Sequence, residues 1–317
     1  MSASAPESAI WSTARVDGVL ADLTAAGVVG PFERQLAHAA WRAEPTATDG
    51  ALLALALVAR ATRLGHVCLE LGQVASQVRS AQDDGPSTGA LDLPPPDEWR
   101  SELEGSALVA TRSGAGTAPL RPLVWDGGRL YLQRYWAFEC MVADELERRS
   151  QPSDGSGADT APGADEVDAL DAVFADGAGA DTSEPDRQRL AAERARVHSV
   201  TVLAGGPGTG KTHTIAGILA VEHRVAAARG GVLRAALAAP TGKAASRLQE
   251  AVGRRVVALE ADGRIDGNLA ADILANEPST IHRLLGAQGR SGFRYGRNHP
   301  LPHDLVVVDE TSMVSLP

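Results

Sequence analysis

Gly205-Gly206-Pro207-Gly208-Thr209-Gly210-Lys211-Thr212 satisfies the pattern G-x-x-x-x-G-K-[ST] in full, and its flanks decide the fold class. Upstream, Ser199-Val200-Thr201-Val202-Leu203-Ala204 is a β-branched apolar run bounded by glycine, which predicts a buried parallel strand. Downstream, residues 212–228 are alanine-rich, with Ile215, Ile218, Leu219 and Val225 spaced for one apolar helix face. The predicted order is strand, glycine turn, helix. In that order successive backbone N–H groups converge on one point, the helix N-terminus adds positive potential, and Lys211 reaches the β and γ phosphates of a bound nucleotide. The Thr212 hydroxyl is expected on Mg²⁺. The alternative is a glycine-rich strand-to-helix turn that holds no ligand.

Lysine usage points the same way. Only two lysines occur among 317 residues, Lys211 and Lys243, against 28 arginines. A compact ammonium fits among phosphate oxygens where the wide guanidinium fork does not.

A triphosphate site also needs a carboxylate at the end of a neighbouring strand. Leu305-Val306-Val307-Val308 is an apolar run that ends in Asp309 and Glu310. Asp309 is expected to hold Mg²⁺ through its water shell, and Glu310 to orient or deprotonate the attacking water. A strand end that turns polar at the solvent is the plain alternative.

Three further stretches carry a resemblance. Ala239-Pro240-Thr241-Gly242-Lys243-Ala244-Ala245, Thr280-Ile281-His282-Arg283-Leu284-Leu285-Gly286 and Asp309-Glu310-Thr311-Ser312-Met313-Val314 look like successive motifs of superfamily 1 DNA helicases, most like the RecD subunits of bacterial exodeoxyribonuclease V. The resemblance is strong over 188–317. It reaches more weakly into residues 63–71 (RLGHVCLEL) and 130–136 (LYLQRYW).

The resemblance implies an incomplete P-loop (RecA-like) parallel-sheet motor domain behind a mainly helical N-terminal domain, an α/β chain overall. By position it implies that Gln188 reads the adenine edge, since a side-chain amide has the donor and acceptor required; an ordinary surface helix residue is the other reading. His213 stands where relatives commonly carry threonine or a small residue, and Thr311 where they commonly carry alanine; His213 joins the loop residues Gly205 to Thr212 as nucleotide-binding. Thr241 and Lys243 are implied to touch the sugar-phosphate backbone of single-stranded DNA, or else to start a capped helix. Thr280 and His282 are implied near DNA too, with a helix-capping Thr and a packed His as the other reading.

The cofactors implied are ATP and Mg²⁺. The partners implied are single-stranded DNA or DNA ends, and RecB-like and RecC-like subunits in a heterotrimer acting in double-strand break repair. The second motor lobe with its arginine finger is expected beyond Pro317, so this chain is expected to bind ATP without translocating, and to leave a sheet edge and an apolar face uncovered. A stand-alone RecD-like helicase and a binding-only subunit are the rivals.

Charge locates a boundary. Net charge is −10, yet residues 151–186 hold ten acids and no Lys or Arg, and removing those ten from the 40 acids leaves 30 against 30 Lys and Arg. This segment, rich in Gly, Ala, Ser, Asp and Pro, reads as a disordered linker. It is taken as a solvated spacer, with a DNA-mimicking or partner-binding tail as the rival, and a helix is possible over 167–174 with Val167, Leu170, Val173 and Phe174 on one face. The expected domains are therefore 1–149 (partner-binding), 150–186 (linker) and 187–317 (first motor domain).

The first domain reads as helical over 16–26 and 50–63, with strands near 108–110, 123–125 and 130–132 and a hairpin at Asp126-Gly127-Gly128. Residues 81–96, ending in three prolines, read as a loop. All five tryptophans (Trp11, Trp41, Trp99, Trp125, Trp136) fall here, where core and interface are equally good readings. His66 and Cys68 lack a second Cys/His pair for a metal and read as buried. The apolar run 51–59 is too short to span a membrane. With two cysteines and no signal segment, a cytoplasmic protein is expected.

Overall fold

The computed structural model describes residues 15–76, 93–111, 120–150, 163–174, 186–206, 208–289 and 292–316. The chain divides into two compact units, residues 1–143 with 316–317, and residues 144–315.

The first unit is helical over 15–19 and continues with α1 (Ala21–Ala25), α2 (Pro31–Ala43) and α3 (Asp49–Arg63). Thr48 caps α3 by accepting from the Ala51 N–H, and twelve of its fifteen residues are buried, so this apolar run is a core helix as expected. Next come β1 (Cys68–Glu70) and α4 (Pro96–Gly105). The α4 helix begins at the last of the three prolines, where a missing N–H costs nothing, and it was not anticipated from sequence. It buries Trp99 and Leu103. Residues 93–95 are irregular, as the expected loop requires, and its earlier part, 81–92, lies outside the described residues.

β2 (Val109–Thr111), β3 (Leu123–Asp126) and β4 (Arg129–Leu132) complete a four-stranded sheet in the order β1-β4-β3-β2. The β3–β4 hairpin turns on Gly127 (φ 57°) and Gly128 (φ 86°), two consecutive left-handed residues that glycine alone adopts freely. Trp99 and Trp125 are core, Trp41 and Trp136 are half-buried, and Trp11 lies outside the described residues. His66 is exposed rather than buried, and Cys68 is half-buried. α5 (Gln133–Ser150) carries the chain onward.

In the second unit, α6 (Ala164–Val173) covers the possible helix in the acidic segment, and it is no spacer. Ala169, Leu170, Val173 and Phe174 are buried against the following helices, so for residues 163–174 the reading as a solvated linker is corrected: an apolar stripe among the acids has found a core. Segments 151–162 and 175–185 lie outside the described residues. α7 (Arg187–Val197) and α8 (Lys211–Ala228) follow; α8 is packed by α6, α7 and later helices, so burial extends beyond the predicted face.

β5 (Ala235–Ala239), α9 (Gly242–Ala261), α10 (Gly267–Leu274), β6 (Ser279–Thr280), α11 (Ile281–Leu284) and β7 (Leu305–Val308) complete the unit. The strands form a wholly parallel sheet in the order β6-β5-β7. The predicted strand 199–204 is a correction. Among the described residues it joins no ladder; Leu203 packs on the core while Val202 is 81% exposed, so the alternation of a strand is present without pairing. Val306 and Val308 are likewise partly exposed.

Candidate nucleotide-binding site

The loop 205–210 uses glycine for two distinct reasons. Gly208 (φ 79°) and Gly210 (φ 85°) occupy left-handed backbone that side chains resist. Gly205 is tight instead: a Cβ there would lie 2.5 Å from Thr209 Oγ1. Thr209 Oγ1 donates to the Gly206 carbonyl at 2.9 Å, and Gly210 is the N-cap of α8. Lys211 is therefore the first helical residue, with Thr212 beside it at the end of α8 where the helix dipole favours anions. The Lys211 ammonium donates to the carbonyls of Gly205 and of Gly206, the latter at 3.0 Å, and so lies over the loop's own backbone. Pro207 falls outside the described residues.

Gln188 reaches this loop from α7. Asp186 caps that helix, its carboxylate accepting from the N–H groups of Gln188 (2.9 Å) and Arg189 (3.3 Å). The Gln188 side-chain oxygen lies at hydrogen-bond distance, 2.8 Å, from His213 Nδ1, and a Cβ on Gly210 would lie 3.0 Å from Gln188 Nε2. Sequence reading placed Gln188, Gly210 and His213 in one site but missed the Gln188–His213 bond, which joins residues 25 apart. Asp186 had been counted among the linker acids; an acid two residues before Gln188 was the available cap signal.

The other candidates sit at the carboxyl ends of the parallel strands, where ligands of open α/β sheets bind. Asp309 follows β7 and continues the ladder, its N–H donating to the Ala238 carbonyl at 2.9 Å. The Glu310 N–H donates to Asp309 Oδ1 at 2.9 Å. Glu310 itself is left-handed (φ 51°, ψ 41°), alone among the described non-glycine residues, a conformation that costs roughly 1–2 kcal/mol. Asp309 is half-buried and Glu310 exposed. Thr241 caps α9, accepting from Ala244 N–H at 3.2 Å, and exposed Lys243 lies in the first turn. Thr280 pairs in register with Ala239 and caps α11 through Arg283 N–H at 3.2 Å, while exposed His282 packs its ring on Phe293 at 5.8 Å. Both threonines thus do the capping that the plain reading required.

The residues present fit a magnesium nucleotide. The glycine loop is a cradle that side chains would fill or strain, and Thr212 and Asp309 are the hard oxygen donors that Mg²⁺ takes. Among the described residues no helix is long and apolar enough to cross a membrane.

Two family models match in sequence order: the N-terminal domain of RecBCD enzyme subunit RecD over residues 25–131, and an AAA domain over 188–317. Similar curated proteins include the RecBCD enzyme subunit RecD of Mycobacterium tuberculosis, 38% identical over 301 residues that make up 94% of this chain and 46% of that protein. The namesake from Mycolicibacterium smegmatis is 40% identical over 267 residues, 83% of this chain and 41% of that protein. The ATP-dependent RecD2 DNA helicase of Deinococcus radiodurans is 38% identical over 149 residues, 44% of this chain and 17% of that protein. The chain spans about half the length of the RecD relatives it matches. The chain thus matches a RecD N-terminal domain followed by an AAA domain, and is similar to RecD subunits across most of its own length.

Proposed function

We infer that this chain contributes the nucleotide-binding part of an ATP-dependent DNA helicase subunit of the RecD type. The observation that carries it is Lys211 as the first residue of α8, behind a loop bent at Gly208 and Gly210 and touched by Gln188. Gly205, Gly206 and Gly208 to Thr212 cradle the triphosphate through their N–H groups, Pro207 having none to give, and Lys211 adds one charge. Thr212 and Asp309 hold Mg²⁺, which when bound neutralises β- and γ-phosphate charge. Glu310 orients the attacking water, Gln188 reads adenine, and His213 completes the base side of the pocket.

Thr241, Lys243, Thr280 and His282 form the edge that meets single-stranded DNA, the lysine by backbone charge and the caps by fixing the loops. Residues 1–149 bind RecB-like and RecC-like partners at DNA ends, and residues 187–317 with α6 form the first motor domain. The match to a RecD N-terminal domain favours this subunit role over a stand-alone helicase. Residues 1–317 by themselves bind nucleotide; 5′-to-3′ movement belongs to the complete two-lobed motor, and the nuclease work of the complex is not assigned to this chain.

Titration with a fluorescent ATP analogue tests the reading. Lys211→Ala should weaken binding about 10- to 100-fold, the worth of one charge-assisted contact of about 1.5–3 kcal/mol. Unchanged affinity would overturn it.

A further inference from the structure

We propose that His213 is the residue that makes this site adenine-selective, acting as a positioning residue that locks the rotation of the Gln188 carboxamide. The proposal rests on the reading of Gln188 as the base reader and adds what makes that reader selective.

A carboxamide is nearly symmetric in shape, but its two ends have opposite hydrogen-bonding sense. In one rotation it presents an oxygen, in the other an NH₂. Adenine offers an N6 donor beside the N7 acceptor, whereas guanine offers O6 and N7, both acceptors. A freely rotating glutamine satisfies either purine, accepting from adenine N6 in one pose and donating to guanine O6 in the other. Selectivity therefore requires the amide to be held.

One contact holds it here. His213 Nδ1 lies 2.8 Å from Gln188 Oε1, and we assign the ring proton to Nδ1, which then donates to that oxygen and fixes which end it is. The Nε2 end has its room because residue 210 is glycine: a Cβ there would lie 3.0 Å from it, and φ of 85° disfavours any side chain. Swapping the two ends would set an NH₂ against the His213 N–H, two donors face to face. The held oxygen keeps a second lone pair for a base donor, and the nitrogen keeps its hydrogens, which is the adenine pattern. Against guanine the same edge would set oxygen against O6. His213 is well placed for this because it follows Thr212 on the first turn of α8: the helix that faces the phosphates also sets the base reader.

The test is the ratio of ATP to GTP affinity in the 317-residue chain, with inorganic tripolyphosphate as a probe of the phosphate loop alone. His213→Ala should lower the ratio about tenfold, chiefly by admitting GTP, and leave tripolyphosphate affinity unchanged. Adding His213→Ala to Gln188→Ala should change nothing further. A ratio unmoved by His213→Ala but lowered by Gln188→Ala overturns the role of His213 and leaves the base reader standing. A ratio unmoved by Gln188→Ala removes both. Loss of tripolyphosphate binding in His213→Ala in proportion to ATP overturns the proposal by making the residue a support of the loop.

Discussion

The two units build their cores differently. The first is anchored by large aromatics: Trp99 is 1% exposed and donates its indole N–H to the Gly50 carbonyl at 2.9 Å, while Trp125 closes the sheet face. Both lie on the unit's own regular elements. The second is built from alanine and branched aliphatics, and among the described residues Phe174 is the one buried aromatic of its core. That ring comes from the end of α6, inside the segment whose composition marks it as a linker. Average composition says whether a stretch can fold alone; a single periodic stripe decides whether a neighbour can use it.

The difference predicts separable failures. Trp99→Ala and Phe174→Ala should each cost about 3–5 kcal/mol, the usual range for truncating a buried aromatic. Differential scanning calorimetry should show the first lowering a transition that nucleotide does not raise, and the second lowering the one that nucleotide does raise. If Phe174→Ala costs well under 1 kcal/mol, α6 is no part of the nucleotide-binding core and the contrast between the units fails.

A glycine pair sharpens the same point with opposite signs. A Cβ on Gly217 of α8 would lie 2.5 Å from Phe174 Cζ, so Gly217→Ala forces the plug outward and should cost about 1–3 kcal/mol. Gly253, inside α9, would set its Cβ at an ordinary 3.8 Å from Leu274, and Gly253→Ala should stabilise by about 0.4–1 kcal/mol through loss of unfolded-state freedom. Urea denaturation of both variants measures the pair. Equal and favourable effects would mean that Phe174 does not sit over α8.

How legible all this was depends on the range of each interaction. The hairpin was readable because Gly127-Gly128 encodes its own turn, and α3 and α8 because their apolar runs are long. The glycine turn with Lys211 at the head of α8, and the strand before Asp309, were readable because a glycine-rich turn and an apolar run each encode their local structure. Strand 199–204 was misread because alternation supplies the side chains of a strand without its partner. The Gln188–His213 bond and the seat of Phe174 on Gly217 join residues 25 and 43 apart, and no local pattern announces them. Charge misled as well: Glu166 bridges Arg196 and Arg229, both at 2.8 Å, so an acid counted as linker belongs to an ion network of the fold.

The sheets differ in closure, and that gives the smallest effect. The β3–β4 hairpin is joined by two glycines, whereas parallel β5 and β7 are distant in sequence and must be gathered at some cost in chain entropy. Arg234, just before β5, meets Asp304, just before β7: Asp304 accepts from Arg234 Nη2 at 2.7 Å and from its backbone N–H at 3.0 Å. The Arg234 side chain holds the Asp304 carboxyl down at about 2. A depressed acid stabilises the fold above its ordinary range near 3.8, and that contribution is lost as pH falls towards about 2. The pair is solvent-exposed, so water and salt screen it. Asp304→Asn should therefore lower the stability of the second unit slightly at neutral pH and low salt, less so in 1 M salt, and not at all once the wild-type carboxyl is protonated. Acid titration of stability for both chains reads this out. A deficit that persists at the acid end would mean that Asp304 acts there by geometry alone, and that its charge does not help to gather the parallel strands.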